Sequence, residues 1–535
     1  MGTLYYGDNL TILREQVKDE SVDLVYLDPP FNSNASYNVL FKAPDGHESH
    51  AQMEAFEDTW HWNETAEKAF DEVMQSGNSD AAEMLRAMRS FLHDNDMMAY
   101  LAMMAVRLIE LHRVLKSTGS LYLHCDPTAS HYLKILLDAV FGPRQFLSEI
   151  VWKRYGAHSN SNTYGAVHDI LLFYEKGQTC TFNKQFSTYD DDYIKERFKF
   201  SDPDGRRWAE QNLGNPAVRP NLMYEFTAKN GITYVPPSNG WKYSPDRMAE
   251  LDVQNRLHYP QKTGGRLRLK SYQDELPGVQ LQDVWTDLVT IGGTSAERLG
   301  YPTQKPLALL ERILSASSNE GDVVLDPFCG CGTTVHAAQK LGREWIGIDI
   351  THLAISLIQK RLRDAFGAIP IVVHGTPKDL GGAEALAAQD KYQFQWWAVS
   401  LVDAVPYGGK KKGADSGIDG FIYFKPDGKI TEKAIVSVKG GENVGVGMIR
   451  DLIAVTDREK AKMGILISLA EPTAPMKKEA IAAGFYKTDY GEYAKIQILT
   501  IEQLFAGQKP DMPWIDSSVF KKAKREMKGT QEKLL

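Results

Sequence analysis

Asp28-Pro29-Pro30-Phe31 sets an acid, two prolines and an aromatic ring in succession, directly behind the apolar, β-branched segment ESVDLVYL. Such a run fits an interior strand of a parallel sheet. Each proline lacks an N–H, fixes φ and drives the residue before it into an extended conformation. Asp28 and the Pro29 carbonyl are therefore held rigidly outside the strand's carboxyl end. Open α/β sheets bind their ligands there. A strand ending in Asp-Pro is also an ordinary turn; the adjoining Pro30-Phe31 weighs toward chemistry.

A second stretch able to do chemistry is VVLDPFCGCGTT. A strand over 322–326 delivers Asp326 to a turn containing Gly330 and Gly332, and a helix is expected from about Thr333. Glycines at such a turn permit φ > 0 and close backbone approach to a ligand. The string departs from G-x-G-x-x-G and lacks a Gly-Lys-Ser/Thr end, which disfavours a phosphate cradle. About 20 residues onward, WIGIDI puts Asp349 at the end of the next strand, where an acid can accept both hydroxyls of a ribose. Together the turn and the acid imply a nucleoside-bearing cofactor.

The elements that must position these residues alternate as an α/β protein requires. LYYGD, a short helix and DLVYLDPPF open the chain. A polar segment rich in Trp, His and acids follows to about residue 80. The periodicity of DMMAYLAMMAVRLIELHRVLKSTG predicts a helix closed by Gly119, with SLYLHCD as the next strand and HDILLFYEKG near 168 as another. Between 178 and 295 the pattern breaks into Pro-, Gly-, Asn- and Arg-rich stretches, read as an insertion of the kind that builds substrate-reading surfaces. Regular α/β signals return from PLALLERILSAS to residue 380. A composition shift near 381–413 precedes a separate α/β unit, expected over 390–508, with a basic tail over 509–535.

At 535 residues the chain is too long for a single core. Its 43% hydrophobic and 24% charged residues are ordinary for a globular protein. No long apolar run and no leader pattern occur, so a cytoplasmic location without membrane attachment is the expectation. The four cysteines, Cys125, Cys180, Cys329 and Cys331, lack zinc-site spacing and read as reduced thiols. His124-Cys125-Asp126 at a strand end reads as scaffold rather than a metal or thiol site. A net charge of −8 excludes a uniformly basic coat. Basic runs at 152, 262, 408 and 520 are each a solvated loop or part of a phosphate track.

In these motifs the chain resembles the amino-group DNA methyltransferases, which move a methyl group from S-adenosylmethionine to an exocyclic base nitrogen. Asp28-Pro29-Pro30-Phe31 matches their catalytic tetrapeptide, and Asp326-Pro327-Phe328-Cys329-Gly330-Cys331-Gly332 matches their cofactor loop. The catalytic motif precedes the cofactor motif, the permuted order of the β class. Tyr301-Pro302-Thr303-Gln304-Lys305-Pro306 looks like that class's cofactor-flanking motif, and Gly7-Asp8-Asn9 resembles its adenine-side segment. The resemblance implies a Rossmann-like domain over 1–380. It implies catalytic roles for Asp28, Pro29, Pro30 and Phe31, and cofactor contacts from Asp8, Thr303, Lys305, Asp326, Phe328, Gly330, Gly332 and Asp349. It further implies double-stranded DNA as partner, with the target base flipped out. Asp-Pro-Pro-aromatic points to adenine N6, with cytosine N4 as the alternative and RNA as a further substrate class. Arg266 and Arg268, inside the insertion, are the candidate DNA readers, a plain loop being the alternative. A homodimer and a restriction partner are further expectations from the family.

The last unit resembles the PD-(D/E)xK nuclease core, specifically the Mrr-type restriction nucleases. Asp419 and Lys439 match, Gln395 is a candidate helper, and Ser437 stands where that core carries an acid or Gln. A hydroxyl is a weaker ligand than a carboxylate, so Mg²⁺ rests on Asp419 alone unless Gln395 or Glu442 contributes. An active nuclease, a degenerate one kept for DNA binding, and a protein-docking unit all remain open.

Overall fold

The computed structural model describes residues 2–30, 36–42, 48–57, 61–155, 164–260, 262, 264–292, 295, 297–299, 301, 303–407, 417–427, 430–489 and 491–513. Phe31, Pro302, the basic run at 408–413 and the tail beyond 513 lie outside the described residues, as does part of the run beginning at 152.

One nine-stranded sheet carries both motifs. Its strands are β1 Gly2–Tyr6, β2 Val22–Leu27, β3 Leu115–Cys125, β4 Phe146–Lys153, β5 His168–Glu175, β6 Val284–Trp285, β7 Val323–Asp326, β8 Glu344–Asp349 and β9 Ile371–His374. Their spatial order is β6-β4-β5-β3-β2-β7-β8-β1-β9. From β3 to β9 all pairs are parallel, and β5 runs antiparallel to both β3 and β4. Because β2 is interior, both of its faces are buried. Val25 and Leu27 join a core with helices α1 Asn9–Gln16, α2 Asp96–Val114 and α3 Ser130–Phe141. Leu24 and Tyr26 join the opposite core with α4 Leu307–Ser317, α5 Thr333–Lys340 and α6 His352–Phe366. The result is a three-layer α/β fold of the kind the alternating signals require.

Two expectations are corrected here. The helix ends at Val114, not at Gly119, and Leu115 already has extended backbone. Gly119 instead lies inside β3, beside a register shift, where a β-carbon would stand 3.1 Å from the Asp23 carbonyl oxygen. The insertion is also shorter than 178–295. Lys184–Gln282 forms a compact unit with its own core, including Leu213, Trp241 and Leu269, and a four-stranded antiparallel sheet. Residues 284–285 return to the main sheet as β6, where buried Trp285 packs in the second core. Aromatic content in a Pro- and Gly-rich context concealed that return. The polar segment before residue 80 contains the helix Glu64–Gln75.

The C-terminal region forms a second sheet of β10 Val405–Pro406, β11 Gly420–Phe424, β12 Glu432–Lys439, β13 Met463–Ser468 and β14 Ile496–Thr500, in that spatial order. Helix α7, Lys391–Leu401, covers one face through Phe394 and Trp397. Among the described residues no helix is long and apolar enough to cross a membrane.

Candidate active site

Strands β2 and β7 are neighbours, with Leu24 opposite Val324 and Val25 opposite Leu325. The pairing is fixed at its start by Asp23, which accepts from the Val323 N–H at 2.9 Å and binds Lys116 at 2.8 Å. The Asp28 and Asp326 loops therefore leave the sheet side by side at its carboxyl edge. They open on a cavity of about 360 Å³, within the range of small-molecule sites. Asp28, Pro29, Pro30, Asp8, Thr303, Lys305, Asp326, Phe328, Gly330 and Asp349 all line it. Lys305 Nζ donates to Asp28 Oδ2 in an ion pair.

The glycine turn has the conformation its residues allow. Gly330 and Gly332 have φ of +48° and +73°, and Gly332 caps α5 from behind the cavity wall. The Gly330 N–H donates to Asp349 Oδ2 at 3.0 Å, while Asp349 Oδ1 accepts from the N–H and hydroxyl of Thr351, both at 2.9 Å. Asp326 accepts from the Phe328 N–H at 3.0 Å. Burial pushes the Asp326 carboxyl up to about 7 and that of Asp349 up to about 6. Burial disfavours the charged form of both carboxyl groups, a cost that a positive charge placed beside them would offset.

Three groups support the site, of which the two centred on arginines escaped the sequence reading and the third contains His124, read there as scaffold. Arg107, buried in α2, donates to Asn9 Oδ1 at 2.6 Å and to Asp8 Oδ2 at 2.9 Å, and Asn9 in turn donates to the Pro327 carbonyl at 2.9 Å. This chain of bonds ties the Asp8 segment to the loop that follows Asp326. Arg361, 3% exposed, donates to the Thr333 hydroxyl at 3.0 Å, to the Cys331 carbonyl at 3.2 Å and to His336 Nδ1 at 3.2 Å. Burial and the neighbouring guanidinium push His336 down to about 3, so a neutral ring is available to accept that bond. Tyr26, His124 and Asp169 form the third group. The Tyr26 hydroxyl meets His124 Nδ1 at 2.9 Å, and His124 Nε2 meets Asp169 Oδ2 at 3.0 Å, all buried. The only signal for the two arginines was a charge within an otherwise apolar helical face.

Arg266 and Arg268 belong to the separate 184–282 unit. Arg266 is exposed, whereas Arg268 opens a strand of the antiparallel sheet and lies 3.4 Å from the Asn212 side-chain oxygen.

The nuclease-like residues give no support for Mg²⁺, one of the alternatives left open by the sequence. Asp419 precedes β11, and its Oδ2 accepts from the Val438 N–H at 2.6 Å and from the Ser437 hydroxyl at 3.5 Å. The carboxylate therefore fastens β12. Lys439 ends that strand half-buried, and Gln395 is half-buried on α7. Among the described residues no group of three or more His, Cys, Asp or Glu is placed to hold a metal ion. The donor set therefore does not fit Mg²⁺, because a hard cation needs several oxygen ligands at one point.

Comparison with known proteins agrees with this division. A family described as NACHT-associated inactive Restriction Endonuclease 1 matches residues 400–506. The Type II methyltransferase M.EcaI of Enterobacter cloacae is 27% identical over 370 residues, 69% of this chain and 70% of its own. M2.LlaDCHI of Lactococcus lactis subsp. cremoris, also a Type II methyltransferase, is 45% identical over 240 residues, 42% of this chain and 82% of its own. The StyLTI Mod subunit, part of a Type III restriction-modification enzyme of Salmonella typhimurium, is 25% identical over 352 residues, and the chain spans 50% of its length. The DNA methylase family N6_N4_Mtase matches residues 22–360. With more than half of its length inside that match, and with the two acid-bearing loops side by side, the chain belongs to the N6/N4 DNA methylase family.

Proposed function

We propose that this protein methylates the exocyclic amino group of a base in DNA, adenine N6 being the favoured target. The observation that carries the reading is the emergence of the Asp28 and Asp326 loops from adjacent parallel strands onto one cavity. S-adenosylmethionine, when bound, supplies an electrophilic methyl group. Its positive charge suits buried Asp326, Asp349 is assigned to its ribose hydroxyls, and Asp8, Thr303, Phe328 and Gly330 to its surroundings, with Gly332 holding the turn.

An exocyclic amino nitrogen is a poor nucleophile because its lone pair is delocalised into the ring. The Asp28 carboxylate and the Pro29 carbonyl accept its two hydrogens, which lets the nitrogen pyramidalise and free that lone pair. With Oδ2 engaged by Lys305, Oδ1 is the oxygen assigned to the amine. Both acceptors stabilise the positive charge that grows on nitrogen as the methyl carbon–sulfur bond breaks and S-adenosylhomocysteine departs; the surplus amine proton is lost to solvent after transfer, so Asp28 need not abstract it beforehand. The base must first leave the duplex to reach this cavity. Phe31 is assigned to stack on it, and the 184–282 unit with Arg266 and Arg268 to read the surrounding sequence.

Adenine is favoured by the Asp at position 28, and cytosine N4 is the second reading, since the amine chemistry is shared. Digestion of DNA incubated with protein and S-adenosylmethionine, followed by mass spectrometry of the nucleosides, tests both. N6-methyladenine from the wild type and none from Asp28→Ala is the expected result. N4-methylcytosine would overturn the base assignment, and no methylated nucleoside across varied DNA would overturn the reading itself.

A further inference from the structure

Helix α7 belongs to the C-terminal region, yet two of its side chains pack behind residues that line the cofactor cavity or adjoin its lining. Trp396, 7% exposed, packs in one apolar cluster with Tyr301, Cys331 and Leu353. Tyr301 and Cys331 line the cavity. Tyr301 also stands directly against the glycine turn, because a β-carbon on Gly330 would lie 3.2 Å from its ring. One turn earlier on α7, Gln393 Oε1 accepts from the His352 N–H at 3.3 Å. The His352 ring stacks on Tyr6 with centroids 3.6 Å apart, and Tyr6 precedes the cavity-lining Gly7 and Asp8. Residues three apart share a helix face, so one face of α7 backs two separate walls.

The same region has its one matched acid engaged in holding β12. That acid thus fastens a strand, while helix α7 of the same region packs in the apolar cluster beside the glycine turn.

We infer that the C-terminal unit braces the cofactor cavity from behind, with Trp396 and Gln393 as positioning residues that support Tyr301 and the stacked His352–Tyr6 pair. The inference rests on the reading that the cavity takes S-adenosylmethionine. Removing the indole leaves a void behind Tyr301, and a void lets the neighbouring ring and turn relax. Cofactor binding must then reorder them, so affinity falls.

Isothermal titration of the full chain with S-adenosylmethionine tests this on the wild type, Trp396→Ala, Trp396→Phe and Gln393→Ala, each checked for a cooperative thermal transition. Trp396→Ala is expected to raise Kd about tenfold, within the usual span of coupling between sites. Trp396→Phe, which refills much of the void, should recover most of that loss; a raised Kd in Trp396→Ala at a temperature well below its own melting transition separates positioning from mere destabilisation. Folded Trp396→Ala with wild-type Kd overturns the inference. If Trp396→Ala fails to fold, Gln393→Ala decides: a severalfold rise in Kd supports the inference and an unchanged Kd overturns it. A wild-type chain that binds no S-adenosylmethionine instead overturns the underlying reading, and the inference with it.

Discussion

Lys305 and Asp28, 277 residues apart in sequence, form an ion pair in the wall of the cavity, with side chains only 12% and 16% exposed. The lysine takes one carboxylate oxygen and so orients the other. Lys305→Ala should lower the single-turnover methylation rate by about 10²-fold, the scale of losing one preorganised electrostatic contact. Asp28→Ala should abolish turnover. An unchanged rate in Lys305→Ala would remove the lysine from the mechanism.

Cofactor affinity should depend on pH through Asp326 and Asp349. Burial raises both carboxyl groups above their ordinary 3.8, to about 7 and about 6. A cationic ligand prefers the ionised carboxylates, so binding should tighten as pH rises from about 5 to 7.5, with proton release on binding in that window. The ligand-free protein should behave oppositely. Between the unfolded and folded values the native state holds more protons than the unfolded state, so its stability falls as pH rises through that range. Asp326→Asn should flatten both dependences in titration calorimetry and thermal melts; a retained slope would assign it elsewhere.

Tyr26, His124 and Asp169 span three strands, β2, β3 and β5, beneath the catalytic loop. Removing one partner leaves buried polar groups unsatisfied. His124→Ala should therefore cost about 3 kcal/mol of stability in denaturant unfolding, whereas Tyr26→Phe, which deletes a single hydroxyl, should cost about 1 kcal/mol. Equal, negligible losses would show the network to be slack.

Gly332→Ala should damage the cofactor turn. The residue has φ of +73°, and a β-carbon would come within 2.7 Å of an Ile358 side-chain carbon. Both effects strain the turn, so the expected outcome is a lowered melting temperature and weakened S-adenosylmethionine binding. Wild-type values for both would mean that α6 shifts freely to make room.

The C-terminal unit should not cleave DNA in the presence of Mg²⁺, because Asp419 is engaged by Val438 and Ser437. Asp419→Ala should instead destabilise the protein by about 1–3 kcal/mol as the Val438 N–H loses its acceptor. Mg²⁺-dependent nicking by the wild type that disappears in Asp419→Ala would restore the nuclease reading.

What the amino-acid sequence by itself determined about this protein is local. Two prolines end β2 and expose Asp28, Gly330 and Gly332 permit the positive-φ turn, and alternating strand and helix signals specify an α/β sheet. These features depend on torsional preference and periodicity within short segments, which any isolated stretch already carries. Tertiary structure alone decided that β2 lies beside β7, that Lys305 meets Asp28, and that Arg107, Arg361 and Trp396 brace the cavity from three directions. It also returned Trp285 to the main sheet and engaged Asp419, a candidate ligand in the sequence, as the acceptor that anchors β12. Partner choice across hundreds of residues is set by which faces are buried against one another and in what register. No local preference encodes that, because a buried arginine or tryptophan acquires its role only from the groups that packing brings within reach.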